Sequence, residues 1–426
     1  MNRLASQLLL IGLIGCSDPG TLLEQKGAVL SRSARGNIAG VNLAATHIKG
    51  AELAKLRAID GLVNLTLGDS TSDADVIHLR GWRELRVLDL RDTRVTDAGL
   101  RHLDGLALQK LSLPQRAKTN VGLKYYLAAT ADSDRLELQG WDISDSALQH
   151  LKQLPQLKGL SLHDTSVGDA GLKHLAPLTS LLHLGLGGTR TTDRGLLHLK
   201  RLKQLERLFL SRTQVTDRGL AHLESLSQLQ RLTLEGTQVR DPGLMHVAKL
   251  TALERLSLEN TQITDEGLVH LRPLSHLQVL VLSENKISDD GVANLGGLTG
   301  LRSLGLDGVQ ISDAGLAHLA GLTKLERLYI SRTQITDAGL ATASRLANLK
   351  LLYLSGNRVT DRGLTHLKRL TGLEFLYLSG TQISDAGLPE LSRLPRLRLL
   401  VVANTRGTPA GVAELRRALP ACSIHD

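Results

Sequence analysis

Histidine is the residue in this 426-residue sequence that most invites a chemical reading, because ten of its fifteen copies share one spacing. His78, His102, His150, His174, His198, His222, His246, His270, His318 and His366 stand at one position of a recurring unit, each just before a leucine except His246, which precedes Val247. If those leucines lie on stacked helices, adjacent imidazoles are separated by one helix spacing, roughly 8–10 Å. A shared zinc needs each nitrogen about 2.0–2.1 Å from the metal. Adjacent copies therefore cannot chelate together, and the column reads as a structural ladder. His163, Asp164 and His183 make a second cluster. His163 and His183 are offset by four strand positions, about 13 Å along a strand, so they do not share a substrate or a metal. Ser211, Ser331, Ser355 and Ser379 share another column, with no histidine beside them to activate a hydroxyl. Phosphate loop, dinucleotide fingerprint, nucleophile elbow and His-Glu-x-x-His signatures are all missing. The expectation is a protein that is not an enzyme and needs no cofactor and no metal.

The repeat that spaces these residues also supplies the elements that position them. Its opening residue recurs at Leu157, Leu181, Leu205, Leu229, Leu253, Leu277, Leu301, Leu325, Leu349, Leu373 and Leu397, always in steps of 24. Upstream it falls at Ile38, Leu62, Leu85, Leu108 and Ser133, with steps of 24, 23, 23, 25 and 24 to Leu157. That makes sixteen repeats and a truncated seventeenth strand at Ala421 to Asp426. Within one unit, Leu256-Ser257-Leu258 alternates, which predicts a short strand with both leucines on one face. Thr264-Asp265 is a helix-start signal, and Leu268, Leu271 and Leu274 follow at helical spacing. Gly267 lies on the inner side of that helix, where a missing side chain permits a close approach. One unit cannot bury its leucines alone; stacked units share a continuous core. Strands stack about 4.8 Å apart and helices about 8–10 Å apart, so the stack should curve, strands inside.

The period and the leucine spacing resemble the leucine-rich repeat superfamily over Ile38 to the C-terminus. The Thr336-Asp337-Ala338-Gly339-Leu340 helix start is similar to F-box leucine-rich proteins and their bacterial relatives. The resemblance implies an α/β solenoid, a curved horseshoe with a parallel β-sheet on the concave face and short helices on the convex face. It also implies a protein-binding role. The ninth position, where the family favours Asn or Cys, is mostly Thr here (Thr213, Thr237, Thr261), with Asn285 and Asn357 retained and Val309 departing from both. These polar side chains are expected to satisfy backbone groups in the bend after the strand.

Binding in such a fold belongs to the outward columns of the sheet. The column between the strand leucines ends Tyr329, Tyr353, Tyr377, Val401, and the column two residues earlier ends Arg327, Leu351, Phe375, Leu399. Together they predict an apolar and aromatic patch over four repeats. The chain has only nine aromatic residues, and five of them (Phe209, Tyr329, Tyr353, Phe375, Tyr377) fall on this face. Tyrosine anchors in an apolar surround are typical of interface hot spots. The competing reading is a cross-strand ladder that only stabilises the sheet. Arg207, Arg231 and Arg255 form a further column that could grip carboxylates or phosphates, with Glu235 and Glu259 four residues later as partial balance.

Leu8 to Ile14 is an apolar run too short to span a bilayer, and Leu13-Ile14-Gly15-Cys16 resembles the lipobox of bacterial lipoproteins. The resemblance implies a signal peptide over residues 1–15, a lipid on Cys16, and anchoring at the cell envelope, on the outer-membrane or periplasmic side. Residues 16–37 then read as lipidated cysteine, tether and N-terminal cap, with a capping helix around Leu22 to Leu30, and residues 38–426 as the repeat domain. With Cys16 lipidated, Cys422 has no partner, so no disulfide is expected. Lys plus Arg is 51 against 42 Asp plus Glu, a net +9 spread along the chain. That is not the basic stripe of a nucleic-acid binder. The expected function is capture of a protein or peptide by an envelope-anchored scaffold. The alternatives are an F-box-like substrate receptor, for which the 37 residues before the repeats leave no usual F-box, a glycan binder, and a structural spacer.

Overall fold

A computed structural model describes residues 19–131 and 133–426; the Cys16 tetrapeptide and the signal segment lie outside these. Internal contacts divide the chain into two compact units, Met1–Leu157 and Lys158–Asp426.

The second unit is a regular α/β stack. Twelve three-residue strands, from Gly159–Ser161 to Ser423–His425, pair in parallel, each with the next in sequence. The register is the repeat itself: Arg327 pairs with Leu351 and Phe375, Leu328 with Leu352 and Leu376, Tyr329 with Tyr353 and Tyr377. The leucines are fully buried, and the residues flanking them face the other way, as alternation requires. Each strand stops at a bend whose residue has positive φ. Glycine fills it at Gly188, Gly236, Gly308, Gly356 and Gly380, and Asp164, Arg212, Asn260, Glu284, Arg332 and Asn404 adopt it with side chains. The ninth-position residues close this bend as expected. The Thr213 and Thr237 hydroxyls donate to the Leu210 and Leu234 carbonyls at 2.6 Å. Asn285 joins two repeats: its Nδ2 donates to Leu258 O (2.7 Å) and Leu282 O (3.0 Å), and its Oδ1 accepts from Thr261 Oγ1 (2.9 Å) and Ile263 N (3.2 Å). Val309 is buried apolar filler at that place.

The helical side is built from short pieces, such as Asp265–Leu268 continued by a tighter turn over Val269–Leu271. Thr336 and Thr360 cap their helices by accepting from Ala338 N and Arg362 N. The aspartate beside each threonine has a second role that the helix-start signal does not announce. Asp241 Oδ1 accepts from Thr264 N (2.8 Å) and its Oδ2 from Thr264 Oγ1 (2.6 Å), one repeat on. Asp289 holds Ser312 and Asp337 holds Thr360 in the same way. The close approach expected at Gly267 is to this carboxylate: a Cβ there would lie 2.3 Å from Asp241 Oδ1.

The first unit opens differently from expectation. The helix is Pro19–Gln25, not Leu22 to Leu30, and it is followed by a strand, Val29–Arg32, antiparallel to Ile38–Asn42. Gly27, at φ 87°, turns the chain out of the helix and frees the next residues to cover the edge of the first repeat strand. Parallel strands follow at Asn64–Thr66, Val87–Asp89 and Lys110–Ser112. The repeat with the 25-residue step carries the ten-residue helix Asn120–Ala129, capped by Thr119 accepting from Gly122 N. The next strand is Arg135–Glu137. Among the described residues no helix is long and apolar enough to cross a membrane.

Candidate functional site

Parallel register brings the tyrosines of strands Arg327–Tyr329, Leu351–Tyr353 and Phe375–Tyr377 side by side. Their rings stack, with centroids 4.9 Å apart for Tyr329 and Tyr353 and 3.8 Å for Tyr353 and Tyr377. Stacking leaves each ring half-buried, and the ladder is continued by half-buried Val401. Beside it run exposed Arg327 and half-buried Leu351, Phe375 and Leu399. Burial raises the Tyr353 phenol well above the ordinary tyrosine range, and a hydrogen bond with Tyr377 adds to it. Burial also raises Tyr329. Tyr329 and Tyr353 are therefore neutral hydrogen-bonding groups at physiological pH, set in an apolar surround.

The rim of this patch is a charge ladder that the outward columns did not include. Arg302, Glu326, Lys350, Glu374 and Arg398 follow at 24-residue spacing with alternating sign. Glu326 binds Arg302 at 2.6 Å and Lys350 at 2.8 Å, and Arg398 reaches Glu374 at 3.2 Å. The two cations hold the Glu326 carboxyl below its usual range. The sign alternation in the sequence was the signal for it.

Arg207, Arg231 and Arg255 are in register on three adjacent strands. Arg231 is half-buried, with its guanidinium 5.0 Å from the Phe209 ring centroid, a cation–π contact. Burial, followed by the charges of Arg255 and Arg207, lowers its pKa, while Glu235 opposes the shift. Phe209 thus sits with the arginines, and His163 meets its edge with centroids 5.9 Å apart. It does not join the tyrosine stack. Glu235 accepts from Ser211 Oγ at 3.3 Å. Burial and the charges of Glu235, Asp307 and Glu284 raise the Glu259 carboxyl.

The histidine column lies on the helical side, mostly half-buried. His246 bonds Glu224 of the preceding repeat at 2.6 Å. Burial, then neighbouring cations, lowers the pKa of His102, His150 and His222, which keeps these rings neutral. His183 lies 3.8 Å from Glu206, while His163 packs against Gly185, Gly187 and Phe209. The two histidines are not drawn into one site. Among the described residues no cluster of three His, Cys, Asp or Glu side chains has metal-binding geometry. A surface depression on the helical side is lined by Asp241, Met245, Asp265, Val269 and His270. Its aspartates are already committed to Thr264 and Ser288.

Comparison with known proteins agrees with this geometry. A family model described as a leucine-rich repeat region matches residues 190–416, and a single leucine-rich repeat model matches residues 83–103. Among solved structures, the chain is similar to an internalin of Listeria monocytogenes. The TM-score is 0.56 at 24% identity, over 72% of this chain and 88% of the internalin. It is also similar to a leucine-rich repeat protein of Leptospira interrogans, with a TM-score of 0.60 at 20% identity, over 96% of this chain and 98% of that one. At these identities the likeness is one of fold. No curated protein matches the chain. With its repeats in register along the stack and a family model covering more than half its length, the chain belongs to the leucine-rich repeat proteins.

Proposed function

We propose that this chain is a non-enzymatic scaffold of the bacterial cell envelope that captures a protein or peptide on its sheet face. The leucine-rich repeat fold is a protein-binding scaffold in general. The observation that carries the reading is the stacked Tyr329, Tyr353 and Tyr377 ladder beside Leu351, Phe375 and Arg327, on a sheet face over which the described residues place no layer. Pre-stacked rings lose little freedom on binding, and their hydroxyls orient a partner whose apolar side chain the patch desolvates. A sugar would need an open ring face, and both faces of Tyr353 are taken by its neighbours. That favours a polypeptide over a glycan. Cys16, in its lipobox-like setting, supports a lipid anchor at the envelope.

The test is capture of partners from the organism's own envelope fraction, with Tyr353→Ser, Tyr377→Ser protein of unchanged circular dichroism as control. A polypeptide held by wild type and lost with the variant supports the reading. Identical partners on both baits would make the ladder structural. Labelled palmitate should enter the wild-type protein and not Cys16→Ser; equal labelling refutes the anchor.

A further inference from the structure

The sheet carries a second region that the tyrosines do not use. On strands Arg231–Thr233, Arg255–Ser257, Val279–Val281 and Ser303–Gly305 the central outward residues are Thr233, Ser257, Val281 and Gly305. All are small, and Thr233, Ser257 and Gly305 are buried although they face away from the leucine core. They form the floor between taller side chains. Arg207, Arg231 and Arg255 stand along one side. Glu235, Glu259 and Asp307 stand along the other, four residues further on in each repeat, about 13 Å away along the strands.

These two walls differ from the rim of the tyrosine patch, where every acid has a cation. Among the described residues no ion pair joins the arginine wall to the acidic wall. Burial, then the charges of Arg255 and Arg207, lowers the Arg231 pKa against the pull of Glu235, and burial, then the charges of Glu235, Asp307 and Glu284, raises the Glu259 carboxyl. Between the walls, the Ser257 hydroxyl is in a residue only 8% exposed and has no hydrogen-bond partner. Two rows of opposite sign, not joined to each other across a low floor, leave a trough whose walls suit a guest of complementary charge.

We propose that this trough binds an extended polypeptide segment whose side chains alternate in charge, acidic toward the arginine wall and basic toward the glutamate wall. The proposal rests on the reading that the sheet face receives a polypeptide, but it uses none of the tyrosines. An extended chain crossing the strands sends successive side chains to opposite sides. Same-side neighbours are then about 6.6 Å apart, while three arginines at about 4.8 Å steps span about 9.6 Å. Two acidic side chains therefore meet three guanidiniums. The guest's backbone passes over the small floor of Thr233, Ser257, Val281 and Gly305.

The test uses the full chain and two end-blocked, fluorescently labelled peptides of about eight residues, titrated by anisotropy. One alternates Glu and Lys; the other has the same composition with all Glu before all Lys. The alternating peptide should bind saturably, about tenfold tighter than the block isomer, and weaken as salt rises from about 0.01 M to about 0.3 M. Arg231→Glu and Glu259→Lys should each weaken it about tenfold. The double swap, Arg231→Glu with Glu259→Lys, leaves both walls mixed in sign and should bind no better than either single swap, because neither register of an alternating peptide then suits both walls. Tyr353→Ser, Tyr377→Ser should bind it as wild type does. Equal affinity for both peptides, or no saturable binding, overturns the proposal and leaves the tyrosine reading to its own capture experiment.

Discussion

Asp289 and Gly315 sit in successive repeats, 26 positions apart in sequence, and their substitution costs should not add. Asp289 accepts from Ser312 N at 2.8 Å and from Ser312 Oγ at 2.6 Å. Asp289→Ala removes both bonds to a carboxylate and leaves the Ser312 amide without its partner, a loss of about 2–4 kcal/mol at this half-buried site. In Gly315→Ala the new Cβ would lie 2.2 Å from Asp289 Oδ1 and 3.1 Å from Asp289 Cγ. The carboxylate must move, breaking the same bonds, at a cost of about 1–3 kcal/mol even after the better helix propensity of alanine. The three nearest atoms to that Cβ all belong to Asp289. Once residue 289 is alanine, the two closest of these atoms are gone and the residue 289 Cα at 3.3 Å is the one of the three that remains, so the cost of Gly315→Ala should fall to about zero. The expected coupling is thus about 1–3 kcal/mol. A double-mutant cycle on urea midpoints, with hydrogen exchange at Ser312 as a local readout, measures it. Additive costs would refute the view that these glycines exist to admit the aspartate of the previous repeat.

Asn285→Ala should destabilise by about 3 kcal/mol, because five hydrogen bonds across two repeats are lost. Asn285→Thr, which restores the single bend bond made by Thr237, should cost visibly less in the urea midpoint; equal costs would contradict this account. The Tyr353 phenol is raised above its unfolded value by burial and by its bond to Tyr377. Its stabilising contribution is therefore present below about pH 10 and lost as pH climbs past that value. An alkaline ultraviolet titration should show Tyr353 as the latest of the raised tyrosines, later than Tyr126 and Tyr329, with a delay that shrinks in Tyr377→Phe. For Glu259 the raised carboxyl pKa means the charged form is disfavoured in the fold. Glu259→Gln should be slightly more stable than wild type at pH 7, with the difference vanishing below about pH 4, where the unfolded carboxyl is protonated. Lower stability at pH 7 would contradict a carboxyl disfavoured by burial and by its acidic neighbours.

The fold was legible because period and alternation are local properties. Leu256-Ser257-Leu258 must put Ser257 opposite the leucines in any strand, and a 24-residue step must bring Tyr329 beside Tyr353. What was hidden depends on side chains that reach between repeats. The Thr264-Asp265 pair reads as one cap, yet Asp241 is the residue that serves Thr264. At the bends, Asp164 and Arg212 pair at 3.1 Å across the intervening Gly188, where a Cβ would lie 2.3 Å from the Asp164 carboxylate. Such a pairing spans two periods, beyond any one-repeat pattern. The N-terminal cap was misplaced for a simpler reason. Leu22 to Leu30 is apolar enough for a helix, but Gly27 turns the chain within it. Phe209 was grouped with the tyrosines by column, whereas three-dimensional neighbours give it to Arg231 and His163.

The central claim is that the C-terminal part of the sheet face meets a polypeptide partner. Site-specific photo-crosslinking tests it most directly, with benzoylphenylalanine at Tyr353 and, as control, at exposed Val269 on the helical side. The account predicts a discrete polypeptide adduct from position 353, competed away by unlabelled wild type and absent from position 269. No adduct at 353, or the same adduct from both positions, would contradict it.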